Sequence, residues 1–369
     1  MQGLYIFGFI ASCSMALLLT PLVKKLAFLI GAIDEPDYRK VHTRIMPRLG
    51  GVAIFISFIG AYFIVSPAID PSHSKPLLGL LLGSFVIVVT GVMDDIFHLT
   101  AKWKLLGQLI AASILVYFGL TIDLVNIPFG SNMISIGWLS IPLTIFWIIG
   151  VTNSINLIDG LDGLSAGVSA IATLTILILA ILVPNVTVLL ISVILLGSII
   201  GFLFYNMHPA QIFMGDSGSL FLGFALAALS IMGFKQATVV SLLIPIMILG
   251  VPLSDTFFAI LRRYINKAPI SAPDKSHLHH CLLQLGFSHR KTVFIIYGLS
   301  LVFGSSAVIS SILMSQNILW GWIMIIFTLF ASLTLGAEMI GIISKKRKPV
   351  LRIIQKITGK TVEPERFSK

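Results

Sequence analysis

Apolar runs of roughly 16–22 residues recur along the chain, separated by short polar stretches, and each can cross a ~30 Å hydrocarbon core as a helix. In hydrocarbon every backbone N–H and C=O must be satisfied inside the protein, which leaves helices or closed barrels. Runs of this length, without strict alternation, specify helices. Composition agrees: 57% of residues are hydrophobic and 11% charged, against about 25% charged in soluble domains. Mean hydropathy is +1.01. The chain therefore reads as all-α, a polytopic integral membrane helical bundle. About eleven spans are expected, near 3–23, 49–67, 77–93, 105–122, 138–153, 164–183, 186–205, 219–234, 237–258, 292–314 and 318–343.

Charge orients the bundle. Nearly all of the 25 Lys and Arg fall in alternate loops and the C-terminal stretch; Lys75 and Lys235 are the exceptions. The rich side is cytoplasmic by the positive-inside rule, which puts the N-terminus outside and the C-terminus inside. The +10 net charge is thus topological. No basic stripe with interleaved aromatics is present, so no nucleic-acid partner is expected. Met1 and Gln2 supply no basic region ahead of the first run, which reads as a span rather than a cleaved signal peptide. Cys13 and Cys281 have no CxxC spacing, and one lies in a span and the other in a cytoplasmic loop, so neither a metal site nor a disulfide is expected from them. One integral domain, 1–344, precedes a basic cytoplasmic tail, 345–369, suited to anionic lipid.

Five polar clusters interrupt the apolar pattern, and the topology puts all five on the cytoplasmic face. The first holds Arg39-Lys40-Val41-His42 and Pro47-Arg48-Leu49-Gly50-Gly51. The second is Asp94-Asp95, followed by Lys102 and Lys104. Adjacent carboxylates at a low-dielectric boundary repel, so they either end a helix in solvent or meet a cation or a basic ligand. The third cluster runs from Asn153 to Gly163 and carries Asn153, Asn156, Asp159 and Asp162, spaced by three. Such spacing keeps neighbours near one helical face. Oxygen-only ligands favour Mg²⁺ or Mn²⁺ over zinc. A capped Gly-rich turn is the plainer reading, but four polar groups exceed what a cap needs.

The fourth cluster is Asn206-Met207-His208-Pro209 and then Phe213-Met214-Gly215-Asp216-Ser217-Gly218-Ser219. There Asp216 is an N-cap, an anion-site neighbour, or both. The fifth spans Arg262 to Lys291 and contains Pro273-Asp274-Lys275-Ser276-His277-Leu278-His279-His280. The H-x-H-H pattern without nearby Cys or Glu is weak for zinc, and His beside Arg and Lys more often meets phosphate. Asp255, eight residues before Arg263, is either an ion-pair partner or a secondary site residue. Acidic metal-ligand candidates beside Arg, Lys and His at a membrane surface suit phosphoryl transfer. No Walker A motif is present.

In their order, Asp94-Asp95, the N-x-x-N-x-x-D-G-L-D-G run at 153–163, F-M-G-D-S-G-S at 213–219 and P-D-K-S-H-L-H-H at 273–280 resemble the polyprenyl-phosphate N-acetylhexosamine-1-phosphate transferases. The resemblance covers nearly the whole chain. It looks closest to the branch that starts wall teichoic acid and related surface glycans in Gram-positive bacteria. The sister branch, which transfers phospho-MurNAc-pentapeptide, tends to carry three consecutive histidines, whereas Leu278 interrupts them here.

The resemblance implies a plasma-membrane enzyme, active on its cytoplasmic face. It implies transfer of GlcNAc-1-phosphate from UDP-GlcNAc to undecaprenyl phosphate, with UMP released and Mg²⁺ (or Mn²⁺) as cofactor. Asp216 and Asn156 would be metal residues. Asp94 and Asp95 would face the lipid phosphate and the metal. Asp159 and Asp162 would support the nucleotide sugar or the metal. His279 and His280 would hold phosphates, with Lys40, Arg48, Lys102, Asn153 and His277 as further substrate-binding candidates. Homodimers are common in such families. A secondary transporter is the competing class, but it would place polar groups near the bilayer midplane and repeat its topology, and neither pattern is seen.

Overall fold

The computed structural model describes residues 2–35, 45–68, 74–126, 133–234, 242–267, 277–316 and 319–340. Thirteen α-helices are found among them: α1 (Gln2–Ile30), α2 (Gly50–Val65), α3 (Ser74–Phe97), α4 (Ala101–Tyr117), α5 (Ser140–Ile158), α6 (Leu164–Leu182), α7 (Val186–Asn206), α8 (Gly215–Phe234), α9 (Leu243–Ile248), α10 (Gly250–Ile265), α11 (Leu278–Gln284), α12 (His289–Ser315) and α13 (Trp320–Ile340). Two antiparallel ribbons sit in the loops. One pairs β1 (Ile33–Asp34) with β2 (Met46–Pro47), the other β3 (Leu124–Asn126) with β4 (Met133–Ser135). The helical bundle expected from the apolar runs is therefore found.

Seven described helical segments are long and apolar enough to cross a membrane, including those of α1, α3, α5, α6, α7, α8 and α12, and α2 and part of α13 are shorter apolar helices. The expected span at 237–258 is not one helix. It divides at Leu249 into α9 and α10. Pro252 explains the break, because it has no N–H to give the Ile248 carbonyl one turn back, and it is accommodated in the first turn of α10. The tail at 345–369 lies outside the described residues.

α8 is the axis of the bundle. It packs against α2, α3, α5, α6 and α7, and nearly all of it is buried. The outer helices instead turn large apolar side chains outward, among them Leu18, Leu29, Phe63, Phe85, Phe146, Phe204 and Phe327. An apolar exterior this extensive is what lipid-facing helices present. Close approach at the α8 N-terminus depends on small residues, as between membrane helices generally. A Cβ on Gly51 of α2 would collide with the backbone of Ser217 and Gly218, and one on Gly91 of α3 with that of Asp216 and Ser217.

Short connections make successive helices antiparallel. The ends of α3, α5 and α7 and the starts of α2, α4, α6, α8 and α12 therefore gather at one end of the bundle, with the described residues of the polar clusters; 39–42 and 273–276 lie outside the described residues. A second apolar cluster beneath them joins Ile158, Leu161 and Leu164 to Leu278, Leu282, Val293 and Ile296, and so seats α11 against the α5–α6 turn and α12. Gly51→Ala is expected to lower the thermal midpoint in detergent, since overpacking a tight contact costs about 1–3 kcal/mol. An unchanged midpoint would contradict this packing of α2 on α8.

Candidate active site

Backbone pairing brings the first and fourth clusters together. The Phe213 N–H donates to the Pro47 carbonyl (2.8 Å), and the Gly50 and Gly51 amides donate to the Phe213 and Met214 carbonyls (3.0 and 2.8 Å). Gly215 follows at φ +71°, a left-handed turn that favours glycine. Arg48 is thereby set beside the start of α8, and the β1–β2 ribbon adds Asp34 to it.

Asp95 closes this arrangement from α3. Its carboxylate accepts the backbone N–H of Asp216 through Oδ1 (2.8 Å) and that of Ser217 through Oδ2 (3.0 Å). It thus caps α8 from another helix, satisfying two of the amides that every helix start leaves open. Arg48 Nε lies 3.7 Å from Asp95, its Nη1 3.4 Å from Asp34 and its Nη2 3.9 Å from Asp216. Burial works to lower the Arg48 pKa, but Asp95, Asp34, Asp216 and Asp94 outweigh it and hold the guanidinium above its ordinary value.

Lys104, from the first turns of α4, bridges the other two carboxylates. Its Nζ lies 2.9 Å from Asp94 Oδ2 and also pairs with Asp216 Oδ2. Asp94 Oδ1 is buried with no hydrogen-bond partner. An orphaned carboxylate oxygen costs stability, and here it lies among other carboxylates.

The end of α5 adds a second wall. The Asn156 Nδ2 donates to Ser219 Oγ on α8 (2.8 Å), so its carbonyl oxygen is the end left to meet a ligand. Asn153 faces elsewhere: its Nδ2 donates to Gln108 Oε1 (2.6 Å), and Gln108 Nε2 donates back to Asn153 Oδ1 (3.2 Å). Asp159 follows at the α5 C-cap. Burial pushes its carboxyl up to about 8, with Asp216, Asp95 and Asp162 adding and Arg48 opposing.

Asp162 belongs to a separate cluster. Its Oδ2 accepts from His208 Nδ1 (2.7 Å) and from the Ala210 N–H (3.2 Å), and His289 Nε2 lies 4.0 Å away. His208 and His289 stack with centroids 4.3 Å apart, and Arg290 Nη2 donates to the His208 carbonyl (3.2 Å). Among the described residues this is the one group of three His or carboxylate ligands within 4.8 Å of one another.

Three imidazoles form a row on and beside α11. His277 and His279 are parallel at 6.1 Å, and His279 and His280 lie 4.2 Å apart. His279 rests over Gly160, where a Cβ would strike its ring. Burial lowers the His279 pKa to about 3, with His280 adding, so this ring is neutral at physiological pH.

Comparison with known proteins agrees with this geometry. Residues 77–234 match the model of glycosyl transferase family 4. The chain is 45% identical over 353 residues, 95% of its length and 96% of the relative's, to a probable undecaprenyl-phosphate N-acetylglucosaminyl 1-phosphate transferase of Bacillus subtilis. The chain belongs to glycosyl transferase family 4. A decaprenyl-phosphate N-acetylglucosaminephosphotransferase of Mycobacterium tuberculosis is 38% identical over 74% of both chains. A phospho-N-acetylmuramoyl-pentapeptide-transferase of Halalkalibacterium halodurans is 34% identical over 82% of this chain and 95% of the relative.

Within this family 4 chain, the structure sorts the residues that the sequence singled out. Asp94, Asp216 and Arg48 converge, Asn156 joins the same end of α8 through Ser219, and Asp159 is within electrostatic reach of Asp216 and Arg48. Asp95 converges too, but as the α8 cap. Lys102 does not: it is exposed, and Lys104 enters the cluster instead. Asn153 is committed to Gln108, and Asp162 to His208 and Ala210, so each is held by protein groups rather than turned to the carboxylate cluster. Lys40 lies outside the described residues. Lys104, His208 and His289 are not among the site residues expected from sequence, although Lys104 follows Asp94-Asp95 in the second cluster, His208 falls in the fourth and His289 in the fifth.

The two aspartates of α3 should separate by stability. Asp95→Asn is expected to lower the thermal midpoint in detergent, with loss of a helix cap worth about 1–2 kcal/mol. Asp94→Asn is expected to cost less, since Oδ1 makes no bond to lose and the amide oxygen can still accept from Lys104 in place of Oδ2. Equal losses would contradict the assignment of the cap to Asp95.

Proposed function

We propose that the chain transfers GlcNAc-1-phosphate from UDP-GlcNAc to undecaprenyl phosphate on the cytoplasmic face of the plasma membrane, releasing UMP. The observation that carries the reading is the meeting of Asp94, Asp216, Arg48 and Lys104 at the bundle end, in a family 4 chain similar over nearly its whole length to an enzyme named for this reaction. The acceptor's polyprenyl chain belongs in lipid and the nucleotide sugar in water, and the cluster lies where those phases meet. The phospho-MurNAc-pentapeptide reaction is the weaker alternative, its relatives being more distant.

The residues present fit a divalent cation. Four carboxylates, Asp94, Asp95, Asp159 and Asp216, face two cations, Arg48 and Lys104, and Asp94 Oδ1 is unpartnered. Mg²⁺ typically takes one or two carboxylates, keeps several waters and binds substrate phosphates. Asp216 and Asp94, with the Asn156 carbonyl, supply that all-oxygen set. When bound, the ion would neutralise phosphate charge as the transfer proceeds.

The protein's own part is chiefly positioning. A phosphate monoester has a second pKa near 6, so the acceptor is already largely ionised at neutral pH. Asp94 Oδ1 is free to orient the acceptor or take its residual proton, whereas Asp95 is held by the α8 amides. The acceptor oxygen attacks the β-phosphorus, the bond from that phosphorus to the bridging oxygen breaks, and UMP leaves with the electron pair. Arg48 and Lys104 balance the charge gathered on the phosphates.

In a UMP-release assay with both substrates, Asp216→Ala and Lys104→Ala are expected to lose at least about a hundredfold, the scale of a lost electrostatic contact in a transition state. Lys102→Ala should stay near wild type. Loss in Lys102→Ala with retention in Lys104→Ala would contradict the site. A second test uses Asp159. Its raised pKa means that the metal-free protein holds a proton up to about pH 8. Cation binding at lower pH must displace it, so affinity rises with pH and levels off above 8. Calorimetric Mg²⁺ titration should show tightening of up to about tenfold per unit between pH 6 and 8, and a flat profile would remove Asp159 from the cation's surroundings.

A further inference from the structure

The reaction as drawn gives no role to Asp255, a buried carboxylate on α10. Its Oδ1 accepts the backbone N–H of Leu278 (2.8 Å), and its Oδ2 lies 2.8 Å from His277 Nδ1. Both side chains are buried, at 3% and 7% exposure. A carboxylate only accepts, so His277 carries its proton on Nδ1, and Nε2 is left as the acceptor end of the ring. His277 is the first of the three imidazoles, and the next, His279, rests over Gly160, which follows Asp159. The carboxylate therefore settles two things together: where α11 begins, and which nitrogen of His277 carries the proton.

We propose that Asp255 is a positioning residue that acts through His277, holding Nε2 toward the phosphates of the nucleotide sugar. This rests on the transferase reading above. Simple capping of α11 is the competing explanation, and the two differ at one atom. In Asp255→Asn the amide oxygen still accepts from Leu278, while the amide nitrogen can only donate to His277 Nδ1. The proton of His277 then moves to Nε2, as the cap and the packing persist. Capping alone predicts an unaffected enzyme. Positioning predicts loss of activity without loss of fold.

The test is a double-mutant cycle on the full-length enzyme in UMP release, with thermal unfolding in detergent as the check on folding. Asp255→Asn is expected to fall at least about tenfold, as when the partner that orients a functional histidine is altered. With His277→Asn already in place, Asp255→Asn should cost nothing more. Wild-type activity in Asp255→Asn, or losses that multiply in the double variant, would overturn the proposal. Nitrogen-15 NMR of histidine-labelled wild-type protein, with His277 assigned by its absence in His277→Asn, supplies a readout free of activity and of the folding of Asp255→Asn. A protonated Nδ1 supports the proposal, and a proton on Nε2 alone overturns it. If the wild-type enzyme releases no UMP from these substrates, the transferase reading fails, and the NMR result still decides what Asp255 does to His277.

Discussion

Asp95 accepts two amide hydrogen bonds from the first turn of α8, and most of the site's geometry follows from that contact. α8 is the buried axis of the bundle, so an uncapped start there would leave donors without water or protein to meet them. The cap comes from α3, which locks the two helices in register. It draws Arg48 in as a counter-charge, and Asp216, whose own amide is one of those capped, is carried into line with Asp94 and Lys104. One carboxylate thus serves the fold so that its neighbour in sequence is free for chemistry.

The helical character of the apolar runs and the gathering of polar residues at one end were legible because they depend on local pattern. Long apolar runs must become helices in lipid, and short loops between them force alternation. The exception, the break at Leu249, had a local cause in Pro252 that the apolar run concealed. Individual roles were less legible because they depend on distant partners. Asp94 and Asp95 are adjacent, and only the start of α8, far along the chain, tells them apart. Lys102 and Lys104 are about 200° apart on a helix, yet a span drawn from residue 105 leaves both in a loop with no phase to separate them. Asn153 and Asn156 share a motif, and Gln108 on α4 takes the first away.

The histidines show the same dependence. His277, His279 and His280 look alike as a string, but burial keeps His279 neutral while Asp255 holds His277 by a carboxylate. Asp255 reads from sequence as either an ion-pair partner or a site residue, and the partner that bears on that choice, His277, lies 22 residues away. His208 and His289 brace Asp162, tying the α5–α6 turn to the loop before α8 and to the start of α12. The polar end is therefore a set of cross-braced turns around a small cluster of carboxylates and cations, with the apolar bundle supplying rigidity.

The central claim is that the lipid phosphate attacks the nucleotide sugar directly in that cluster. It is tested most directly by isotope exchange between labelled UMP and UDP-GlcNAc, in enzyme stripped of polyprenyl phosphate and supplied with Mg²⁺. A single displacement has no step that can run without the acceptor, so no label should enter UDP-GlcNAc until undecaprenyl phosphate is added. Exchange in its absence would mean that an enzyme carboxylate takes the phosphosugar first, and would contradict the account.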